Sequence, residues 1–551
     1  MRNSPLINAI EKHPLADGKC GMDERAQGFR ALGNAIATET PTVLSCTSGS
    51  ALTHYFPAIL EASKTGIPLI ILSADRPFQL AQTDANQTLD QKKIFSGHVR
   101  NFQDFGTPTI QVSPSQVQAL ISQAYQKSMG ENSGPVHVNL PFDEPLDGTT
   151  DDTLWGELKT HYLKQAKASL LNSLTHLDFL ESEKRPSNDS QNIFKELLNK
   201  SGKPLIIIGE ILKEKDRLAA TKFLKEIQIP AVIDITSGIK FNFSLKDGAV
   251  PGFDHPEVFE AYVQNPPDLI FHFGGKLTAK YYERFLKEKP NIPTVLIQDS
   301  PRPHDPAGRF NYLCQSDLNQ AFSTLKPILR EKEIFKDSTH WKAFVSKKTR
   351  LIDESPLSYP RISKYLIENL DNAFTFYLGN STVIRSFDSY ATDNFRSTNR
   401  CQTHRGTSGI EGFLAASQGF CESSNQPTCL VLGDVAAYHD LNSFELLKQN
   451  PSPLLVIIVN NGGGGIFSLL PISKDLSIKN HLFTPHEINF TKLAHAFELK
   501  AKRVENLNDF FKNLNSAQNE VLQERRPFIL EVKINDEENT ALYEKLRTIK
   551  L

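Results

Sequence analysis

Residues Gly433–Leu470 read GDVAAYHDLNSFELLKQNPSPLLVIIVNNGGGGIFSLL, and the fold turns on this stretch. Just before it, the apolar run Thr428–Leu432 stops at Gly433-Asp434. A helical pattern follows. A second apolar run, Leu454–Val459, then stops at Asn460-Asn461 and four glycines. An acid ends one buried strand and an amide ends the next. In an open parallel sheet both lie at the carboxyl edge, where ligands bind. Carboxylate and amide oxygens are hard donors suited to Mg2+. Glycines let the backbone approach a bulky anion closely. The expectation is a metal–diphosphate site. The competing reading is that Asp434 caps the next helix and the glycines make a turn. The paired strand ends and the glycine run favour the site but leave the ligand unidentified.

Working outward, short apolar runs recur between helix-length segments. They are Val43–Cys46, Leu69–Leu72, Val136–Leu140, Leu205–Ile208, Ala231–Ile235, Leu269–Phe273, Val295–Ile297, Phe374–Leu378, Cys429–Leu432, Leu454–Val459 and Phe528–Val532. Continuous rather than alternating apolarity marks strands buried on both faces, as in βαβ units. The fold class expected is α/β, with three doubly wound parallel-sheet domains. The division expected is 1–147, a linker 148–203, 204–330, a linker 331–355, and 356–551. The first domain opens with helix-like Leu6–Lys12 and no strand before it, so it is expected to lack its first strand.

The 551 residues carry 61 basic and 63 acidic side chains, a net charge of −2, with no block of like charge. That gives no basis for a nucleic-acid or anionic-membrane partner. The apolar runs are too short to span a bilayer, and the amino terminus lacks the apolar core of a signal peptide. The six cysteines are scattered without a CxxC pair. A disulfide or zinc framework is not expected, and a cytoplasmic location is.

Further polar segments end strands or precede helices. Glu24 opens a helical pattern, where an acid also suits the helix dipole. Thr47-Ser48-Gly49-Ser50 follows a strand, and either holds a ligand or caps a helix. Arg76, in Ser73-Ala74-Asp75-Arg76-Pro77, can fork onto a carboxylate or pair with a nearby acid. Leu378-Gly379-Asn380-Ser381 ends another strand, with Arg385 one helical turn on. His404–Gly409 precedes a helix expected over Ile410–Phe420, and such a loop is a natural diphosphate seat.

These words together resemble one family. Gly433-Asp434 with Asn460-Asn461 resembles the metal–diphosphate motif of thiamine diphosphate enzymes. DERAQGFRALG, TSGSAL, SADRP, ANQTLDQ, GNSTVIR, RGTSGIEG and NNGGGGIFSLLP resemble the menaquinone-pathway carboligases. These are the 2-succinyl-5-enolpyruvyl-6-hydroxy-3-cyclohexene-1-carboxylate synthases, and the match runs collinearly along essentially the whole chain. The resemblance implies pyrimidine-binding, central and diphosphate-binding domains. It also implies a homodimer or homotetramer whose active sites lie between subunits. Its cofactors are thiamine diphosphate and Mg2+ or Mn2+.

By the same resemblance, Glu24 bonds the aminopyrimidine and helps generate the C2 carbanion. Asp434, Asn461 and the Gly463 carbonyl hold the metal. Ser381 and Ser408 contact the diphosphate, Ile410 is the apolar wedge that bends the cofactor, and Thr47 and Gly409 line it. Phe467 and Leu470 are apolar walls. Arg2, Arg76, Gln87, Lys280, Arg385 and Arg405 hold the carboxylates of the substrates, with Asn86 beside them. The implied reaction decarboxylates 2-oxoglutarate, with the cofactor as electron sink, and adds the remainder to isochorismate. Both substrates are dianions, which accounts for the cations. The ion's role is template and charge neutralisation. Runner-up readings are another thiamine diphosphate carboligase, such as one acting on pyruvate, and an inactive shortened form.

Three features depart from the family pattern. The chain starts inside the loop that carries Arg2, which makes Arg2 a near-terminal and mobile residue by expectation. Tyr281 stands where some relatives carry an arginine after Lys280. Asp84 adds a negative charge near Gln87, which opposes dianion binding unless it is paired.

Overall fold

The strand signals become three parallel sheets in the computed structural model, which describes residues 2–81, 83–109, 111–147, 160, 163–164, 167, 183–227, 229–330, 339–389, 400–470, 472 and 475–551. The chain forms two compact units, residues 1–181 with 404–424 and residues 182–403 with 425–551.

In the first unit the strands are β1 (Thr42–Cys46), β2 (Leu69–Asp75), β3 (Phe102–Asp104) and β4 (Pro135–Pro141), in the order β1-β2-β4-β3. The helix Glu24–Thr38 starts where the Asp23 carboxylate accepts the Ala26 N–H at 3.1 Å. It ends at Glu39, which is left-handed at φ 55°. It lies against the helix Phe413–Ser424 at backbone distance. A Cβ on Gly33 would run into the Ala416 backbone, and one on Gly419 into the Arg30 backbone. An Arg30–Glu422 ion pair of 2.7 Å closes this contact. Residues 404–424, which sequence order assigns to the third domain, therefore pack with the first unit.

The second unit holds two sheets. One runs β6-β5-β7-β8-β9 from β5 (Pro204–Ile208), β6 (Ala231–Ile233), β7 (Leu269–Phe273), β8 (Thr294–Gln298) and β9 (Tyr312–Gln315). The other runs β11-β10-β12-β13-β15-β14 from β10 (Thr375–Leu378), β11 (Cys401–Gln402), β12 (Thr428–Gly433), β13 (Leu454–Asn460), β14 (Lys500–Val504) and β15 (Phe528–Lys533). Strands β5, β7, β8, β10 and β13 are buried throughout, as continuous apolarity demands.

The linker ranges contain structure. Of 148–203, the part before residue 183 lies outside the described residues apart from 160, 163–164 and 167. Asn188–Lys200 is a helix whose Phe194 and Leu198 join the core around β5 and β7. Of 331–355, residues 331–338 lie outside the described residues. Thr339–Asp353 is a helix that buries Phe344 and Ile352. Both segments are rich in charge, and their few apolar residues fall at helical spacing on one face. Among the described residues no helix is long and apolar enough to cross a membrane.

Candidate metal–diphosphate site

Strands β12 and β13 are parallel neighbours with Gly433 opposite Val459. Asp434 and Asn461 thus stand side by side at the carboxyl edge. Asp434 is buried, at 2% exposure. Its Oδ1 accepts the Val435 N–H at 2.7 Å, within its own helix start. Its Oδ2 reaches across to accept Gly462 N–H at 2.8 Å and Gly463 N–H at 3.0 Å. Asp434 therefore does more than cap a helix: it ties down the turn that ends the next strand. That turn needs glycine, because Gly462 and Gly463 have φ of 82° and 152° and a Cβ on Gly463 would strike the Phe483 carbonyl.

The two asparagines divide the work. Asn460 is committed to the fold: its Nδ2 donates to Glu531 Oε1 at 2.7 Å and to the Ile488 carbonyl at 3.1 Å. Asn461 Nδ2 donates to Asp536 Oδ1 at 2.9 Å, and Asp536 Oδ2 also accepts from Ser468 Oγ at 2.9 Å. That bond fixes which end of the Asn461 amide is nitrogen and turns Oδ1 the other way.

Among the described residues no three His, Cys, Asp or Glu side chains converge on a metal site. A metal here relies on a mixed oxygen set: the Asp434 carboxylate, Asn461 Oδ1 and the Gly463 carbonyl. These are hard donors that fit Mg2+ or Mn2+. The carboxylate accepts three N–H groups and still has a lone-pair site left. His486 supplies a second sign of fit. Its Nδ1 accepts from Ile488 N–H at 3.2 Å, so Nε2 carries the proton in the neutral ring. Nε2 is buried and makes no hydrogen bond, although Asp434 Oδ2 is 3.3 Å away. We read that contact as electrostatic. A buried donor lacking an acceptor suits an anionic oxygen brought to this face. Below, the Tyr359 hydroxyl donates to the Val459 carbonyl at 3.3 Å, and burial followed by the nearby Asp434 pushes its pKa well up.

Asp536 and His486 escaped the sequence reading. Both lie outside the motif, and Asp536 is one of three acids in a first helical turn, where acids are common. Asp536 yields a direct prediction. With Asp536→Ala the Asn461 amide loses its anchor. Metal-supported cofactor affinity is expected to fall about 10- to 100-fold, in line with other groups that orient metal ligands. Calorimetric titration with cofactor at several Mg2+ concentrations measures this. Unchanged affinity would mean that Asp536 does not set the Asn461 orientation.

Elsewhere in the second unit, Ser381 follows β10 in a left-handed conformation, φ 66°, and its carbonyl accepts from Arg385 Nη1 at 2.8 Å. Phe467 is half-buried in the 3-10 turn Gly465–Leu469, and Leu470 is exposed. Lys280 is exposed, with its Nζ 5.5 Å from the centroid of the Tyr281 ring.

In the first unit, the helix expected from Ile410 begins at Phe413 instead. Gly412 has φ 78°, which breaks the helical path. The loop 404–409 therefore does not enter a helix amino terminus directly, and its N–H groups are partly taken. Glu61 accepts those of Gly406 and Thr407, and Glu411 Oε2 accepts that of Ile410 at 2.8 Å. Ser408 is left-handed at φ 57°, Arg405 is buried, and Gly409 and Ile410 are half-buried. Non-glycine residues held in this region store strain, which clusters at functional sites.

Glu24 is half-buried in the first turn of its helix, and the capping bond comes from Asp23. Thr47 follows β1 directly and is half-buried. Arg76 Nη1 donates to Ser48 Oγ at 2.7 Å and to the Gln87 carbonyl at 3.4 Å. Burial and then the neighbouring Arg2 guanidinium lower its pKa. Arg2, expected to be mobile, is buried and donates from Nη1 to the Phe142 carbonyl at 3.1 Å. Asn86, Gln87 and Asp84 are exposed, and the last two are left-handed at φ 59° and 55°.

Two family models match the chain. The thiamine pyrophosphate enzyme N-terminal TPP binding domain covers residues 1–94, and the C-terminal TPP binding domain covers residues 387–532. Similar proteins include three called 2-succinyl-5-enolpyruvyl-6-hydroxy-3-cyclohexene-1-carboxylate synthase. That of Chlorobium phaeovibrioides is 33% identical over 99% of this chain and 92% of its own length. That of Syntrophus aciditrophicus is 33% identical over 100% and 94%. That of Chlorobaculum tepidum is 31% identical over 99% and 92%. With the acid and the amide at adjacent strand ends, these matches show that the chain belongs to the 2-succinyl-5-enolpyruvyl-6-hydroxy-3-cyclohexene-1-carboxylate synthase family of thiamine diphosphate enzymes.

Proposed function

We infer that this chain decarboxylates 2-oxoglutarate and adds the four-carbon remainder to isochorismate, giving 2-succinyl-5-enolpyruvyl-6-hydroxy-3-cyclohexene-1-carboxylate for menaquinone synthesis. The observation that carries this reading is the Asp434–Asn461 pair at the ends of β12 and β13, set in a chain whose relatives bear that name. Thiamine diphosphate, when bound, supplies the electron sink for the decarboxylation. Asp434, Asn461 and the Gly463 carbonyl hold its divalent ion, Mg2+ or Mn2+. Ser381, Ser408 and Gly409 bind the diphosphate, and Thr47, Ile410, Phe467 and Leu470 pack on the rings. Glu24 holds a proton at the aminopyrimidine. Arg2, Arg76, Gln87, Lys280, Arg385 and Arg405 orient the substrate carboxylates, with Asn86 beside them.

The domain roles follow: residues 1–147 bind the pyrimidine, 204–330 form the central domain, and 356–551 bind the diphosphate. A homodimer or homotetramer is the active form, with Glu24 contributed across the subunit boundary. Exposed Leu15, Met22 and Phe78 in the first unit support an interface there. The test is mass detection of the adduct after incubation with cofactor, Mg2+, 2-oxoglutarate and isochorismate. Adduct from pyruvate but not from 2-oxoglutarate would reject the assignment.

A further inference from the structure

Glu61 lies in the helix Phe56–Thr65 and is 1% exposed. A glutamate is almost never this buried unless its charge is met. Three donors of one loop meet it. Oε1 accepts Gly406 N–H at 2.5 Å, while Oε2 accepts Thr407 N–H and Thr407 Oγ–H, both at 2.8 Å. The loop sits tightly on this helix, since a Cβ on Gly406 would be 2.8 Å from the Lys64 Cβ and 2.9 Å from the Glu61 carbonyl.

The same loop is fixed at both ends. His404 is buried and stacks on Phe413 at 4.0 Å, with Phe29 at 5.6 Å on its other contact. Glu411 takes the Ile410 N–H. Between these anchors Thr407 and Ser408 are exposed, and Ser408 is held left-handed. Such a conformation persists only where the surroundings over-determine it. Glu61 is the only one of these anchors that grips the middle of the segment.

We propose that Glu61 is a positioning residue for the reaction: it locks Arg405–Ile410 into the shape that offers Ser408 and Ile410 to the cofactor. Its carboxylate is turned into the loop backbone and not toward the ligand, so it organises an anion-binding segment without repelling the anion. This rests on the reading of that loop as a cofactor contact.

The test compares Glu61→Gln, Thr407→Val and Ile410→Ala in the full-length protein. Each is measured for thiamine diphosphate affinity at saturating Mg2+ by calorimetry, and for melting without cofactor. Glutamine keeps the size but sets an NH2 donor against a loop donor. Glu61→Gln is expected to weaken cofactor binding about tenfold or more, as removal of orienting groups does elsewhere, and to lower melting as well, because a buried loop donor loses its acceptor. Thr407→Val removes the hydroxyl that donates to Glu61 Oε2 but leaves the two backbone bonds to Glu61 in place, and should weaken binding in the same direction and non-additively with Glu61→Gln. Unchanged cofactor affinity in Thr407→Val and in a folded Glu61→Gln, whatever the melting temperature, would overturn the proposal. If Ile410→Ala weakens binding and these two do not, the loop reading stands and the role of Glu61 falls. If Ile410→Ala is also without effect, both fall.

Discussion

Replacing Asp434 by Ala is expected to remove metal-supported cofactor binding. The carboxylate does two jobs that the structure separates. In the proposed function it is an oxygen ligand, placed beside Asn461 at the edge of β12 and β13. As an acceptor it holds the N–H groups of Gly462 and Gly463. Losing the first job should cost about 100-fold or more in affinity for cofactor with Mg2+, since removal even of groups that merely orient ligands costs 10- to 100-fold. Losing the second leaves two donors unpaired and should lower stability by about 1–3 kcal/mol. Asp434→Asn divides the two effects. Its amide oxygen can still accept the turn N–H groups, but the negative charge is gone. Its NH2 then faces the Val435 N–H, so melting of the Asn variant should lie between the Ala variant and wild type while Mg2+ dependence is lost. If Asp434→Ala titrates with metal and cofactor as wild type does, the ion is held elsewhere.

How far the sequence could be read depended on burial. Most strands with continuous apolar runs were legible because both their faces are covered; β1, a sheet edge with Val43 exposed, was legible from its composition alone. The strands that were not are β3, β9, β11 and β14, and each lies at the edge of its sheet among the described residues. Strand β14 reads Lys-Ala-Lys-Arg-Val, with its two lysines exposed and only Val504 buried. An edge strand tolerates this composition because one side meets solvent. The helices Asn188–Lys200 and Thr339–Asp353 were hidden for a related reason. Their charged faces dominate the composition and a few apolar residues do the packing.

At the candidate site the pattern is similar. Asp434 and Asn461 were legible because each ends its own strand, so a local word carries the position. Glu61 and Asp536 were not, because their partners lie 345 and 75 residues away. No spacing rule connects such pairs; only the packing does. The helix expected from Ile410 failed on one residue. Gly412, inside the range expected to be helical, is the left-handed break before Phe413.

Glu24→Gln is expected to leave cofactor binding largely intact and to block activation. The structure supports this separation. Asp23, not Glu24, provides the helix cap, so the amide should not unravel the helix. Glu24 lies near Cys46 and Tyr55. Burial, then Glu24, pushes the Cys46 thiol up to about 12. Burial also raises the Tyr55 phenol, which donates to the Ser45 carbonyl at 3.0 Å. Both groups therefore stay protonated at neutral pH. Loss of a positioned acid–base group costs about 10²–10⁴-fold in rate. Exchange of the cofactor C2 proton for deuterium, read by NMR after acid quench, should slow by that order. A control distinguishes chemistry from helix stability. Asp23→Ala removes the cap and should cost about 1 kcal/mol in stability, yet keep C2 exchange. Equal loss of exchange in both variants would assign the effect to the helix start, and wild-type exchange in Glu24→Gln would remove Glu24 from the chemistry altogether.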